Sequence, residues 1–174
     1  EIYTEGEALN HFPGGEIRTE LERVKEELGA NAVRFFEPPP QHWLDDCADL
    51  GLLAFVTISW SQHVDFLDQR QVRRETEIRI KDIVTRYRGH PAIAAYLVGN
   101  EIETSLVRYL RPKRVVRFLE KLIDIGRDID PNVLYSYANY PSTEFLIPEN
   151  QDFLSFNVYL EDPGNLGKYL DRLQ

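Results

Sequence analysis

Short apolar runs alternate with amphipathic stretches along almost the whole chain, and that alternation leaves few folds open. Runs rich in β-branched and aromatic residues occupy 31–36, 52–58, 92–98, 132–137 and 153–158. Between and around them, 16–28, 41–50, 71–87, 112–129 and about 164–173 carry apolar residues at helical spacing. In 112–129 these are Val115, Val116, Leu119, Leu122 and Ile123, with Pro112 suited to a first helical turn. A strand, a helix and a strand in series pair in parallel through a right-handed crossover. Near-continuous apolar runs such as Leu53-Ala54-Phe55-Val56 fit a parallel sheet covered on both faces. Residues 1–15 mix polar, aromatic, Gly and Pro residues and read as a loop with at most part of one further strand.

A doubly wound sheet and a (β/α)8 barrel both fit this order. Two observations favour the barrel. No Gly-rich phosphate turn follows any strand, and polar or aromatic residues stand after every strand end, not at one switch point. A whole barrel needs eight strands and about 250 residues. The expectation is therefore an α/β fold, a partial TIM (β/α)8 barrel forming one domain over 1–174. It holds about strands two to six with their helices, strand one in part, and neither strand seven nor strand eight.

The formal net charge of −9 is spread through the chain, which argues against nucleic acid or an anionic membrane as partner, since both need a concentrated basic face. No apolar run reaches the roughly 18 residues of a membrane span. Cys47 is the single cysteine, so the redox compartment and the localisation stay open. No secretory pattern opens the sequence, and a chain without Met that starts at Glu1 is read as not beginning at a native start. The four histidines are too scattered for a metal pair, and neither a G-x-S-x-G nor a P-loop occurs, so no metal and no cofactor are expected.

In a barrel the C-terminal strand ends converge on one face. Those ends supply Arg34 and Glu37, then Trp60 and His63, then Asn100 and Glu101, then Asn139 and Tyr140, then Asn157, Tyr159 and Glu161. Carboxylates and amides hydrogen-bond hydroxyls, and flat rings stack on sugar faces, so the set suits a carbohydrate. Each residue also has a plainer role open to it. Glu101 could cap a helix or pair with an arginine. Arg34, inside a strand, needs a partner there whether or not it meets a ligand. Trp60 and Tyr159 could be rim packing. His42, Cys47 and His90 read as structural, and the run Arg70, Arg73, Arg74, Glu75, Glu77, Arg79 reads as a solvated helix face.

The run Tyr87-Arg88-Gly89-His90-Pro91-Ala92-Ile93, followed by Val98-Gly99-Asn100-Glu101, resembles the acid/base signature of family 2 glycoside hydrolases, with Gly89 where the family usually has Asn. Gly29 to Arg34 looks like that family's second strand, Asp49 to Val56 like the passage into the third, and Phe156-Asn157-Val158-Tyr159 like the sixth. The stretches 139–144 and 157–162 look closer to a bacterial branch in which such barrels occur beside polysaccharide-building glycosyltransferases. The resemblance implies a retaining β-glycosidase with Glu101 as general acid/base. Asn100 would bond the sugar 2-hydroxyl, and Arg34 and Tyr159 would orient the nucleophile. Glu37 stands where many relatives carry His. The family nucleophile, a Glu ending strand seven, is expected beyond residue 174, and other domains of a longer polypeptide would accompany the chain. On that basis the isolated chain is expected to lack turnover and to expose apolar edges. The alternative is a non-catalytic carbohydrate-binding barrel in a polysaccharide-processing protein.

Overall fold

The computed structural model describes residues 16–173. The chain runs α1 (Glu16–Leu28), β1 (Ala32–Phe35), α2 (Gln41–Leu50), β2 (Leu53–Thr57), α3 (Arg70–Tyr87), β3 (Ile93–Asn100), α4 (Thr104–Leu110), α5 (Pro112–Ile129), β4 (Leu134–Asn139), a single 3-10 turn (Pro141–Thr143), β5 (Ser155–Phe156) and α6 (Pro163–Leu173). All four strand pairs are parallel, and sheet order equals chain order. The expected partial strand within 1–15 lies outside the described residues.

The sheet is curled into a partial barrel, and side-chain distances prove it. In a flat sheet β1 and β5 would lie about 19 Å apart, four spacings of roughly 4.8 Å. Yet Arg34 on β1 hydrogen-bonds Asn157, just after β5, at 2.6 Å. Phe55 on β2 meets Phe153 edge-on, ring centroids 6.0 Å apart. Only a concave sheet brings such positions together.

The core lies on the convex side, under the helices. Alternate strand residues Val56, Ile58, Tyr96, Val98, Tyr135 and Tyr137 point there and meet Ile80 and Val84 of α3 and Leu119, Leu122 and Ile123 of α5. Fully burying each such aliphatic side chain is worth about 1.5–3 kcal/mol. Contact between α5 and the sheet depends on Gly126. A Cβ at that position would sit 2.4 Å from the Tyr135 ring. Tyr135 is itself fixed, stacked on Tyr96 and donating its hydroxyl to the Asp130 carbonyl at 2.9 Å.

Two elements depart from the pattern read from sequence. Helix α4 is a short extra turn of chain, set off from α5 by Arg111 at φ 72°. Strand β5 is only two residues long, because side chains of its neighbourhood take over the ladder. The Asp152 carboxylate accepts the Tyr135 N–H at 2.7 Å, and the Ser136 hydroxyl donates to the Phe153 carbonyl at 2.6 Å.

The segment leaving β3 is pinned at three points by β4 and the residue after it. The Glu101 N–H donates to the Ala138 carbonyl at 2.9 Å, the Ile102 N–H to the Tyr137 hydroxyl at 2.8 Å, and the Thr104 N–H to the Tyr140 hydroxyl at 3.2 Å. Tyr137 and Ile102 are both buried.

Two outcomes follow for urea unfolding. Gly126→Ala should cost about 1–3 kcal/mol, since the added methyl must displace a fixed ring. Tyr137→Phe should cost about 1–3 kcal/mol, because it leaves the buried Ile102 N–H without an acceptor. An unchanged midpoint for either variant would show that the packing or the pin is not as described.

Candidate active site

The residues that close β3 do three different jobs. Gly99 has room for no side chain without pressing on a neighbour: a Cβ there would approach Trp60 Nε1 to 3.3 Å. Its smallness lets the loop after β2 fold over the strand end. Trp60 Nε1 donates to the Val98 carbonyl at 2.8 Å, and the Asn100 N–H donates to Gln62 Oε1 at 3.0 Å. Next, the β3–β4 register slips between Leu97 and Asn100. Strict alternation would send Asn100 to the same convex face as Val98. The irregularity turns it to the concave mouth instead, a common use of a bulge. Last, Glu101 adopts φ 48°, a left-handed conformation rare for a residue with a side chain. It costs on the order of 1 kcal/mol and is held by the pins from β4.

Arg34 binds these parts together. Its Nε donates to Thr57 Oγ1 at 3.2 Å, one terminal nitrogen to Asn157 Oδ1 at 2.6 Å and the other to Asn100 Oδ1 at 2.7 Å. The guanidinium also lies over the exposed Phe36 ring, 4.3 Å from its centroid. Asn157 passes the connection on, donating to Asn100 Oδ1 at 2.9 Å and to Glu101 Oε1 at 2.5 Å. The Tyr159 hydroxyl donates to the same carboxylate oxygen. Burial presses the Arg34 guanidinium downward from its ordinary range, and the Glu101 carboxylate opposes that. The Tyr159 phenol is raised, chiefly because the hydrogen bond it donates to Glu101 favours its protonated form, with burial and the nearby carboxylate charge adding to the effect.

The arrangement leaves specific atoms available. Both donors to Glu101 reach Oε1, so among the described residues Oε2 has no hydrogen-bond partner. The Asn100 oxygen accepts twice, while its amide nitrogen has no partner among the described residues. A carboxyl oxygen and an amide donor thus stand free side by side. They border a cavity of about 270 Å³ whose wall includes Glu37, Trp60, His63, Asn100, Glu101 and Glu103.

The other residues proposed from sequence fall elsewhere or are already occupied. Glu37 borders the cavity but accepts from Ser59 and pairs with Arg79 at 3.4 Å. Trp60 presents an edge to the cavity and packs its ring against Phe66 and Phe118. His63 is exposed on the rim. Asn139 is buried, its amide donating to the Thr143 and Leu146 carbonyls and accepting from the Tyr140 N–H and the Thr143 hydroxyl. It fastens a loop and offers nothing to a ligand. Tyr140 pins Thr104. Glu161 is exposed, away from the cavity wall. Sequence reasoning missed Thr57, Gln62, Glu103 and Tyr137. Thr57 carried a signal, a lone hydroxyl in an apolar strand beside the Arg34 strand; the other three did not. Among the described residues no group of His, Cys, Asp and Glu is placed to hold a metal ion, and no helix is long and apolar enough to cross a membrane.

No protein-family model matches the chain. It is 32% identical over an alignment of 126 residues to a β-galactosidase of Thermoanaerobacter pseudethanolicus, an alignment that covers 62% of the chain and 16% of that relative. A β-glucuronidase structure from Bacteroides uniformis aligns with 92% of the chain at TM-score 0.75 and 19% identity, the chain covering 21% of it. A family 2 glycosyl hydrolase from Bacteroides cellulosilyticus aligns with 90% at TM-score 0.65 and 20% identity, again with 21% of that protein covered. The curated relatives resemble this chain in sequence and the solved structures resemble it in fold, and the chain matches a partial barrel within each structure.

Proposed function

We propose that this domain belongs to an enzyme that hydrolyses a β-linked glycoside or polysaccharide with retention of configuration, and that Glu101 is its general acid/base. The observation that carries the reading is the Glu101 carboxyl itself. It is held in a costly left-handed conformation, clasped through Oε1 by Asn157 and Tyr159, with Oε2 free of hydrogen bonds among the described residues, and the residue lines the cavity. A strained residue held in place by a neighbouring strand is the kind of position that clusters at active sites.

In a retaining mechanism one carboxylate attacks the anomeric carbon while a second carboxyl, about 5–5.5 Å away, protonates the departing oxygen. Glu101 takes the second part. Its Oε2 gives a proton to the leaving group, then removes one from the water that releases the sugar. The free amide of Asn100 donates to the sugar 2-hydroxyl, a bond that tightens as the ring flattens. Arg34 and Tyr159 face the nucleophile, a carboxylate supplied by a strand outside these 174 residues. The substrate is a carbohydrate, with galactoside, glucoside, mannoside and glucuronide all compatible with the groups described.

A leaving-group series tests the assignment. In the full-length protein, Glu101→Gln should lower kcat/KM about 10²–10⁴-fold for β-glycosides with a poor leaving group, which needs protonation, and far less for an activated aryl β-glycoside, which does not. An equal loss for both kinds of substrate would remove Glu101 from the acid role. Glycan binding without turnover, unaffected by Glu101→Gln, would favour the carbohydrate-binding alternative.

A further inference from the structure

Four residues of the charged run that reads from sequence as a solvated helix face, Arg70, Arg73, Arg74 and Glu77, form one wall of a groove. On the convex side of the barrel, the first half of α3 faces the first half of α5 across a cavity of about 480 Å³. Arg70, Arg73 and Arg74 line it from α3, and Arg114, Arg117 and Lys121 from α5. Glu77 is the carboxylate among the lining residues, while Asp68 pairs with Arg114 and Asp65 adds to the field there. Six cations against three carboxylates is a local reversal of sign in a chain of net charge −9.

Internal bonds account for only half of the cations. Arg114 pairs with Asp68, Lys121 with Glu77 at 2.6 Å, and Arg73 donates to the Leu67 carbonyl at 3.2 Å. Arg70, Arg74 and Arg117 are exposed and have no hydrogen bond or ion pair among the described residues. Like charges gathered this way repel one another unless an anion lies between them. Arg70 and Arg74 are about 6 Å apart along the helix axis, and Arg117 comes from the other wall. That spacing suits a ligand with several carboxylates, and guanidinium groups bind carboxylates in bidentate fashion. The groove floor is apolar, made by Leu67 and Phe118.

Position links the groove to Glu101. Helix α3 follows β2 and α5 follows β3, so the first halves of both lie toward the strand ends that carry the candidate site. Trp60 borders the Glu101 cavity and Phe118 borders the groove. Their ring centroids are 5.8 Å apart, with Phe66 packed against both at 4.9 and 5.6 Å. One aromatic wall thus has the cavity on one side and the basic groove on the other.

We propose that this groove is an accessory subsite for an anionic polysaccharide, gripping carboxylate-bearing sugars of a polymer whose scissile bond lies at Glu101. The proposal rests on the glycosidase reading above, which takes the polymer to the cavity; the groove adds the charge class of the substrate.

The test compares the full-length protein with its Arg74→Glu/Arg117→Glu variant, using calorimetric titration with a uronic-acid hexasaccharide and turnover of a small neutral aryl β-glycoside. The hexasaccharide should bind the unmodified protein, more weakly as salt rises, and at least about tenfold more weakly in the variant. Turnover of the small glycoside should be equal in both proteins. An Arg74→Gln/Arg117→Gln pair, at exposed positions with no internal partner, should weaken binding in the same direction and guards against misfolding. Equal hexasaccharide affinity in all three proteins, or equally tight binding of inorganic tripolyphosphate or of a poly-glutamate peptide, would overturn the groove assignment while leaving small-glycoside turnover intact. Absence of turnover for every aryl glycoside would overturn the glycosidase reading, and the subsite with it.

Discussion

The mouth of the partial barrel is held by one guanidinium. Arg34 starts on β1 and bonds Thr57 at the end of β2, Asn100 at the end of β3 and Asn157 beyond β5. A lysine could supply the charge but not three donors in a fixed plane. The concave sheet needs some such tie, because Leu53 and Leu134, at the opposite end of its strands, are about half exposed and contribute little. The same tie sets the chemistry. By engaging the oxygens of both carboxamides, Arg34 fixes which way each amide faces. The Asn157 nitrogen is thereby aimed at Glu101, and the Asn100 nitrogen is left free. The stability of the mouth and the polarity of the site are one network.

Around that network, small residues and strain place Glu101, the proposed acid/base. Gly99 admits Trp60, the register slip turns Asn100 inward, and the φ of Glu101 swings the carboxyl over the cavity. None of these would persist alone. Tyr137, Ala138 and Tyr140 of the neighbouring segment hold the chain through the N–H groups of Ile102, Glu101 and Thr104. Glu101 is thus a residue on a rigid strand end and not on a free loop, which is what positioning to a fraction of an ångström demands.

Much of this was legible in the residues before any coordinates. Among the described residues, apolar periodicity locates all five strands and five of the six helices, since the strands carry near-continuous apolar runs and the helices carry clear stripes. Helix α4 escaped because seven residues are too few for a period to show. Strand β5 is shorter than the apolar run 153–158, because that content cannot reveal that Asp152 and Ser136 replace ladder bonds. At the site, Glu101, Asn100, Arg34, Asn157 and Tyr159 were named from their place at strand ends and meet in one network. Asn139 and Tyr140 looked equivalent by position, yet both fasten backbone; position cannot tell an amide that faces the mouth from one that turns into a loop. Tyr137 was hidden because a tyrosine in an apolar strand reads as core, and only the fold shows its hydroxyl reaching Ile102. The basic groove was hidden for a related reason: its two walls are more than 40 residues apart, and each alone looks like an ordinary solvated helix.

The central claim is that Glu101 is the proton donor and acceptor of a two-carboxylate mechanism and not the residue that attacks the sugar. Intact-mass analysis of full-length Glu101→Gln mixed with an activated aryl β-glycoside tests this directly. With the acid/base removed, release by water slows while attack on the activated substrate continues. The account therefore predicts a protein heavier by one glycosyl unit, with the label on a peptide outside residues 1–174. A label found on Glu101 of the unmodified enzyme, or no adduct in an enzyme that still turns the substrate over, would contradict it.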